Sequence, residues 1–156
     1  MPPLEEQFLD VLGTLATRLG ERSVTWALTG STSFALQGVP LTPEDIDLQT
    51  TEEGADVVAE LFPEQIVEPV SFAEAERIRS QFGVLALDGV RVEVMGAVQK
   101  RRPDGTWEPP VDIPEHRTVV EVREMRIPVL SLRYEAAAYE RLGRSERAAL
   151  LSAHAE

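Results

Sequence analysis

The stretch LTGSTSFALQGVPLTPEDIDLQT, residues 28–50, decides how this chain is read. It begins at the end of a run rich in β-formers, SVTWALTG (23–30), which stops at a Gly30-Ser31 turn. STSFALQGV then resumes as a short helix whose start is offered capping hydroxyls by Ser31, Thr32 and Ser33. Pro40 and Pro43 break that helix, and DIDLQT (45–50) follows as a second strand. Side chains alternate across a strand, so Asp45 and Asp47 share one face while Ile46 and Leu48 point to the core.

The same parity applied to VRVEVM (90–95) turns Val90, Val92 and Val94 inward and Arg91, Glu93 and Met95 outward. If the two strands are neighbours, Glu93 joins the aspartates. Three converging carboxylates repel one another, and burying one without a partner costs several kcal/mol. A hard divalent cation removes the conflict. Mg²⁺, with Mn²⁺ as its substitute, takes oxygen ligands and is commonly held by a few carboxylates together with substrate phosphates. Gly30 permits a close backbone approach at the strand end, and Ser31 starts a helix whose free N–H groups attract phosphate. Metal and triphosphate would meet at one place.

Outward from this core, Leu4, Phe8, Val11, Leu12, Leu15 and Leu19 recur at helical spacing, which predicts a helix over 4–20. Thr51 caps a predicted helix through EEGADVVAELF, stopped by Pro63. SFAE (71–74) has the form of a capping box and predicts a short helix over 72–79. FGVLALDGVRVEVMG is two alternating runs joined by Asp88-Gly89, a strong hairpin signal. Residues 99–117 read as a surface loop, with a turn offered at Asp104-Gly105, and TVVEVREMRIPVL as one or two further strands. From Ser131 the pattern is helical to the end, split at Gly143. The order predicts one α+β (α/β) domain over 1–156, a mixed sheet with helices packed on one face and C-terminal helices from about 131.

The 156 residues contain no cysteine, which excludes disulfides, thiolate metal sites and a cysteine nucleophile. No apolar run reaches a membrane span and MPPLEEQFLD lacks a signal peptide's pattern, so a cytoplasmic protein without membrane contact is expected. A net charge of −12 argues against a broad nucleic-acid surface. Fourteen of the 15 basic residues are Arg, read as compositional bias; Arg101 and Arg102 read as part of a solvated loop.

A Gly-Gly/Ser turn at a helix start, an acidic-x-acidic pair and a later acidic strand together resemble the DNA polymerase β-like nucleotidyltransferase superfamily. Leu28-Thr29-Gly30-Ser31, Asp45-Ile46-Asp47-Leu48 and Val92-Glu93-Val94 carry the resemblance. It looks most like the small bacterial branch with AbiEii-type and lincosamide-type enzymes, whose closing segment IPVLSLRYEAAAYERLGRSERAALL resembles. The resemblance implies a polymerase β palm-like fold and transfer of NMP from an NTP, such as ATP, to an acceptor hydroxyl. Asp45, Asp47 and Glu93 would be catalytic metal ligands for Mg²⁺, and Gly30, Ser31 and Arg144 would contact the nucleotide. It also implies departures: GVPLTPE lacks the loop arginine often found in the family, and Tyr139 stands where the tail lysine is expected. The acidic chain favours a small, cationic acceptor over nucleic acid. Its short length leaves room for a homodimer or partner protein to complete the cleft. The alternative reading is a degenerate nucleotide-binding module within a toxin–antitoxin pair.

Overall fold

The computed structural model describes residues 5–155. Seven strands form one mixed sheet: β1 (Trp26–Thr29), β2 (Ile46–Thr50), β3 (Ile66–Glu74), β4 (Ile78–Leu87), β5 (Val90–Lys100), β6 (Arg117–Val122) and β7 (Met125–Leu130). Their order is β3-β4-β5-β2-β1-β7-β6. The β2–β5 and β1–β7 pairs are parallel and the remaining neighbours antiparallel. Six helices accompany them among the described residues: α1 (Glu6–Glu21), α2 (Gly30–Leu36), α3 (Glu52–Leu61), α4 (Ile113–His116), α5 (Leu132–Arg141) and α6 (Ser145–His154).

The apolar stripe predicted for the first helix is the one α1 buries, with Val11, Leu12, Leu15 and Leu19 inaccessible to solvent; Leu4 of that expectation lies outside the described residues. Together with Ala55 and Val58 of α3, these side chains cover Leu28, Ile46, Leu48, Val92, Val94, Ile127 and Val129 on one face of the sheet. The inward parity read from both strands is therefore the parity of the core. Thr51 caps α3 by accepting from the Gly54 N–H at 2.9 Å, and Ser131 caps α5 by accepting from the Tyr134 N–H at 3.2 Å. Asp88 and Gly89 both take positive φ (48° and 79°) in the two-residue β4–β5 turn, as a twist-matched hairpin requires. The 99–117 segment turns at Asp104-Gly105, closed by an Arg101–Trp107 bridge.

One predicted element is wrong. The helix expected over 72–79 is instead the end of β3 and the start of β4, with Phe72 opposite Gln81 and Glu74 opposite Arg79. The SFAE capping box is a local preference, whereas β4 runs ten residues and offers a whole edge of ladder hydrogen bonds. Long-range pairing outweighs the cap. The hydroxyls expected to cap α2 also act elsewhere: Thr29 is its N-cap residue, without a side-chain cap bond. Thr32 Oγ1 donates to the Asp45 carbonyl at 2.6 Å and Ser31 Oγ accepts from the Glu44 N–H at 3.1 Å, so they staple the loop that delivers the aspartates.

Beyond the expected helices on the core face, α5 lies against the opposite face. Ala27 packs there with Ile113, Leu130 and Tyr134, and Thr29 bonds Glu135 of α5. A bulge makes part of this contact. Arg79 pairs with Gln99 but Gln81 with Gly96, and Ala97 in the extra step has φ 55°. Before the bulge Gly96 faces α3, where an added Cβ would lie 2.9 Å from Ala55 Cβ; after it Lys100 reaches Tyr134 on α5 at 2.9 Å. No helix among the described residues is long and apolar enough to cross a membrane.

Candidate functional site

Strand pairing places Thr29, Asp47 and Glu93 in one row across β1, β2 and β5. Asp45, one residue before β2, shares the parity of Asp47. The result is the three-carboxylate cluster expected from the sequence: one oxygen from each of Asp45, Asp47 and Glu93 lies within 4.8 Å of the others. All three side chains are half-buried.

Gly30 makes this packing possible. Its φ is +73°, and a Cβ there would sit 2.2 Å from Asp47 Oδ2, so the carboxylate rests against the glycine backbone. Any side chain at position 30 would collide with it. The Gly-Ser turn upstream of the Asp pair thus has a steric role: it is the seat of the second aspartate.

The electrostatics are unbalanced. Burial, then Glu93 and Asp45, push the Asp47 carboxyl up from 3.8 to about 7, and burial and Glu93 raise Asp45. The nearby cation is Arg91, which is half exposed; its Nε lies 2.9 Å from Glu93 Oε2 and 3.8 Å from Asp45 Oδ2. One guanidinium against three carboxylates leaves net negative charge. An all-oxygen donor set of this kind, partly desolvated and under-neutralised, fits a hard divalent cation.

The sequence-predicted nucleotide residues fall out unevenly. Gly30 touches Asp47, and Ser31 stands beside it at the start of α2. Arg144 precedes α6, with its guanidinium 5.0 Å from the Tyr139 ring centroid. The Tyr139 hydroxyl is raised by burial first, with Glu135 and Asp47 adding to the shift. Tyr139 itself packs edge-on against Phe34 of α2, ring centroids 6.1 Å apart, so this end of α5 lies beside the helix that starts at Gly30. No contact between Arg144 and the three carboxylates occurs among the described residues.

Behind the turn lies a group that sequence reasoning missed. Glu135 is 3% exposed; its carboxylate accepts from Thr29 Oγ1 and from the Gly30 N–H, with Lys100 close enough to favour its charge. Burial nonetheless raises it from 4.5 to about 7. Lys100 is 5% exposed, and burial lowers its amine. Two signals were available. Leu132, Glu135, Ala136 and Tyr139 form a helical stripe that puts a carboxylate on the packed face, and Lys100 is the one lysine among 15 basic residues.

This architecture matches known proteins. The aminoglycoside-2''-adenylyltransferase family model aligns with residues 11–153. A candidate nucleotidyltransferase from Thermotoga maritima is 48% identical, with 96% of this chain and 93% of that chain covered and a TM-score of 0.87. The lincosamide antibiotic adenylyltransferase LnuA with bound lincomycin shares the fold at 11% identity, with coverage of 97% and 98% and a TM-score of 0.61. ANT(2'')-Ia in complex with adenylyl-2''-tobramycin does so at 11% identity, with coverage of 94% and 95% and a TM-score of 0.54. No curated protein sequence matches significantly. The family match spans nearly the whole chain and the Thermotoga protein agrees with it in sequence and fold, so the chain belongs to the aminoglycoside-2''-adenylyltransferase family of nucleotidyltransferases.

Proposed function

We propose that this protein transfers NMP from an NTP to a hydroxyl of a small-molecule acceptor, with Asp45, Asp47 and Glu93 as ligands of Mg²⁺ or Mn²⁺. The observation that carries this reading is the carboxylate cluster itself, three acidic oxygens within 4.8 Å on adjacent parallel strands with one cation beside them. The names of the family and of the structural neighbours support adenylyl as the group moved and ATP as its donor. Their bound lincomycin and tobramycin adduct, and a net charge of −12, favour a small acceptor over nucleic acid.

In this reading the acceptor oxygen attacks the α-phosphorus, the bond from that phosphorus to the bridging oxygen breaks, and pyrophosphate leaves with the electron pair. Divalent ions, when bound, polarise the phosphate oxygens and make the attacking hydroxyl more acidic. Glu93 takes the hydroxyl proton or orders the group that does. The Gly30-Ser31 turn holds the triphosphate from the end of β1, using Ser31 because the Gly30 N–H is engaged by Glu135. Arg144, on the α5–α6 turn, supplies positive charge for the departing pyrophosphate.

The test is calorimetric titration of ATP, GTP, CTP and UTP with and without Mg²⁺, repeated on Asp45→Asn/Asp47→Asn. Mg²⁺-dependent binding, strongest for ATP and lost in the double variant, is expected. Absence of binding for all four would overturn the enzyme reading.

A further inference from the structure

The far end of the β4–β5 ribbon carries a pocket of opposite character to the carboxylate site. It has a volume of about 360 Å³ and is lined by Glu76, Arg77, Arg101, Arg102, Gly105 and Arg141. The arginines come from three distant segments: the β3–β4 turn, the loop after β5 and the end of α5. Folding thus gathers four guanidinium groups around one space in a chain whose acidic residues number 27 against 15 basic ones.

The charge is only partly balanced locally, in part by Asp104 beside Arg102. Arg141 pairs with Glu108 at 3.1 Å, but Arg77, Arg101 and Arg102 have no carboxylate within 4.0 Å among the described residues. Glu76, the one acidic residue in the lining, forms no ion pair among the described residues. Like charges held together cost free energy, modestly at an exposed site, and an anion would return it.

Two of the forks are already set in place. Arg101 Nε donates to the Gly105 carbonyl at 3.0 Å. Arg102 Nη1 donates to Thr106 Oγ1 at 3.3 Å and to the Trp107 carbonyl at 3.1 Å. Those bonds leave most donors of each guanidinium unused. Arg79 stiffens the frame without lining the pocket: it lies 4.3 Å from the centroid of the Trp107 ring, bonds Gln99 and pairs with Glu74. Side chains ordered before a ligand arrives lose less entropy on binding it. On the other side, Arg77 Nη1 comes within 3.3 Å of where a Cβ on Gly143 would be, so its guanidinium rests beside the α5–α6 turn.

We propose that this pocket is an anion site for a phosphate-bearing ligand. Planar guanidinium forks match phosphoryl oxygens in pairs, and three forks without an ion pair exceed what a single carboxylate would neutralise. The pocket shares no residue with Asp45, Asp47 and Glu93, and roughly 25 Å of strand separates Glu93 from Arg101. Its lining also contains none of Gly30, Ser31 and Arg144, so it stands apart from the residues proposed for nucleotidyl transfer.

Arg77 is the probe, because its side chain makes no hydrogen bond or ion pair in the fold among the described residues. Pyrophosphate is titrated calorimetrically into the full chain in EDTA, where the carboxylates repel it. Wild type is expected to bind one equivalent with affinity that falls as salt rises. Arg77→Glu should weaken binding about tenfold or more with an unchanged melting temperature, while Arg77→Lys and Asp45→Asn/Asp47→Asn retain it. Titrations with ATP and with a sugar phosphate against the same variants separate a nucleotide tail from an independent phosphorylated ligand. No saturable binding by wild type, equal binding by Arg77→Glu, or a loss confined to the aspartate variant would each overturn the proposal.

Discussion

Asp47 and Glu135 reach the Thr29-Gly30 turn from different elements, and the protein treats them in opposite ways. Glu135 is buried and answered from within, by a hydroxyl, a backbone amide and a nearby lysine. Asp47 is half-buried and surrounded by further negative charge, with a half-exposed arginine as partial relief. A carboxylate that the fold needs is completed by the fold. A carboxylate left short of positive charge is open to completion from outside, by the divalent cation proposed above. The contrast separates scaffold from site on one sheet face.

The sharpest way to break the comparison is to remove Glu135. Glu135→Leu leaves the Thr29 hydroxyl and the Gly30 amide without their acceptor and the buried Lys100 without its nearby countercharge, and should cost roughly 3 kcal/mol in denaturant unfolding. Adding Lys100→Met should restore a large part of it, a coupling that a purely packing role for Glu135 would not produce.

A smaller effect comes from pH. The Asp47 carboxyl goes from 3.8 to about 7 on folding, so between these values the folded chain binds more protons than the unfolded chain. Stability in EDTA therefore falls as pH rises across that window, by roughly 2 kcal/mol after solvent screening. Melting curves of wild type and Asp47→Asn from pH 4 to 8 should diverge accordingly, and Mg²⁺ should flatten the wild-type curve. Parallel curves with no effect of Mg²⁺ would remove the distinction between the two carboxylates. Glu135 shifts in the same direction, from 4.5 to about 7, but its share should survive in Asp47→Asn and be indifferent to the metal.

The smallest change is expected at Arg91. Its pairs with Glu93 and Asp45 are solvent-facing, so Arg91→Ala should leave the unfolding midpoint nearly unchanged. It should tighten Mg²⁺ binding measurably in calorimetry, because the arginine competes for the same oxygens.

The convergence of the three carboxylates was legible in the sequence, because parity is a strong constraint. D-x-D on a strand fixes a shared face, Val-x-Val-x-Val fixes the face of Glu93, and a glycine at a strand end marks a close approach. What remained hidden was non-local. Nothing in QKRRPDG announces that Lys100 is buried, since its burial depends on a bulge three residues earlier and on a helix over thirty residues later. Glu135 looks like an ordinary charge within LRYEAAAYER until its stripe is drawn. The mistaken helix over 72–79 has the same origin in reverse: a clear local cap with no local sign of the strand waiting to pair with it.

The bulge at Ala97 has one more consequence. By inserting a single residue it resets the odd–even rule along β5, so the segment holding Glu93 and the segment ending at Lys100 obey separate phases. Substitutions in the distal ribbon, including the arginine-bearing loop, can be accommodated without moving the carboxylate-bearing half out of step. One strand thereby serves as two independently tunable modules, joined at a residue that has surrendered its ladder partner.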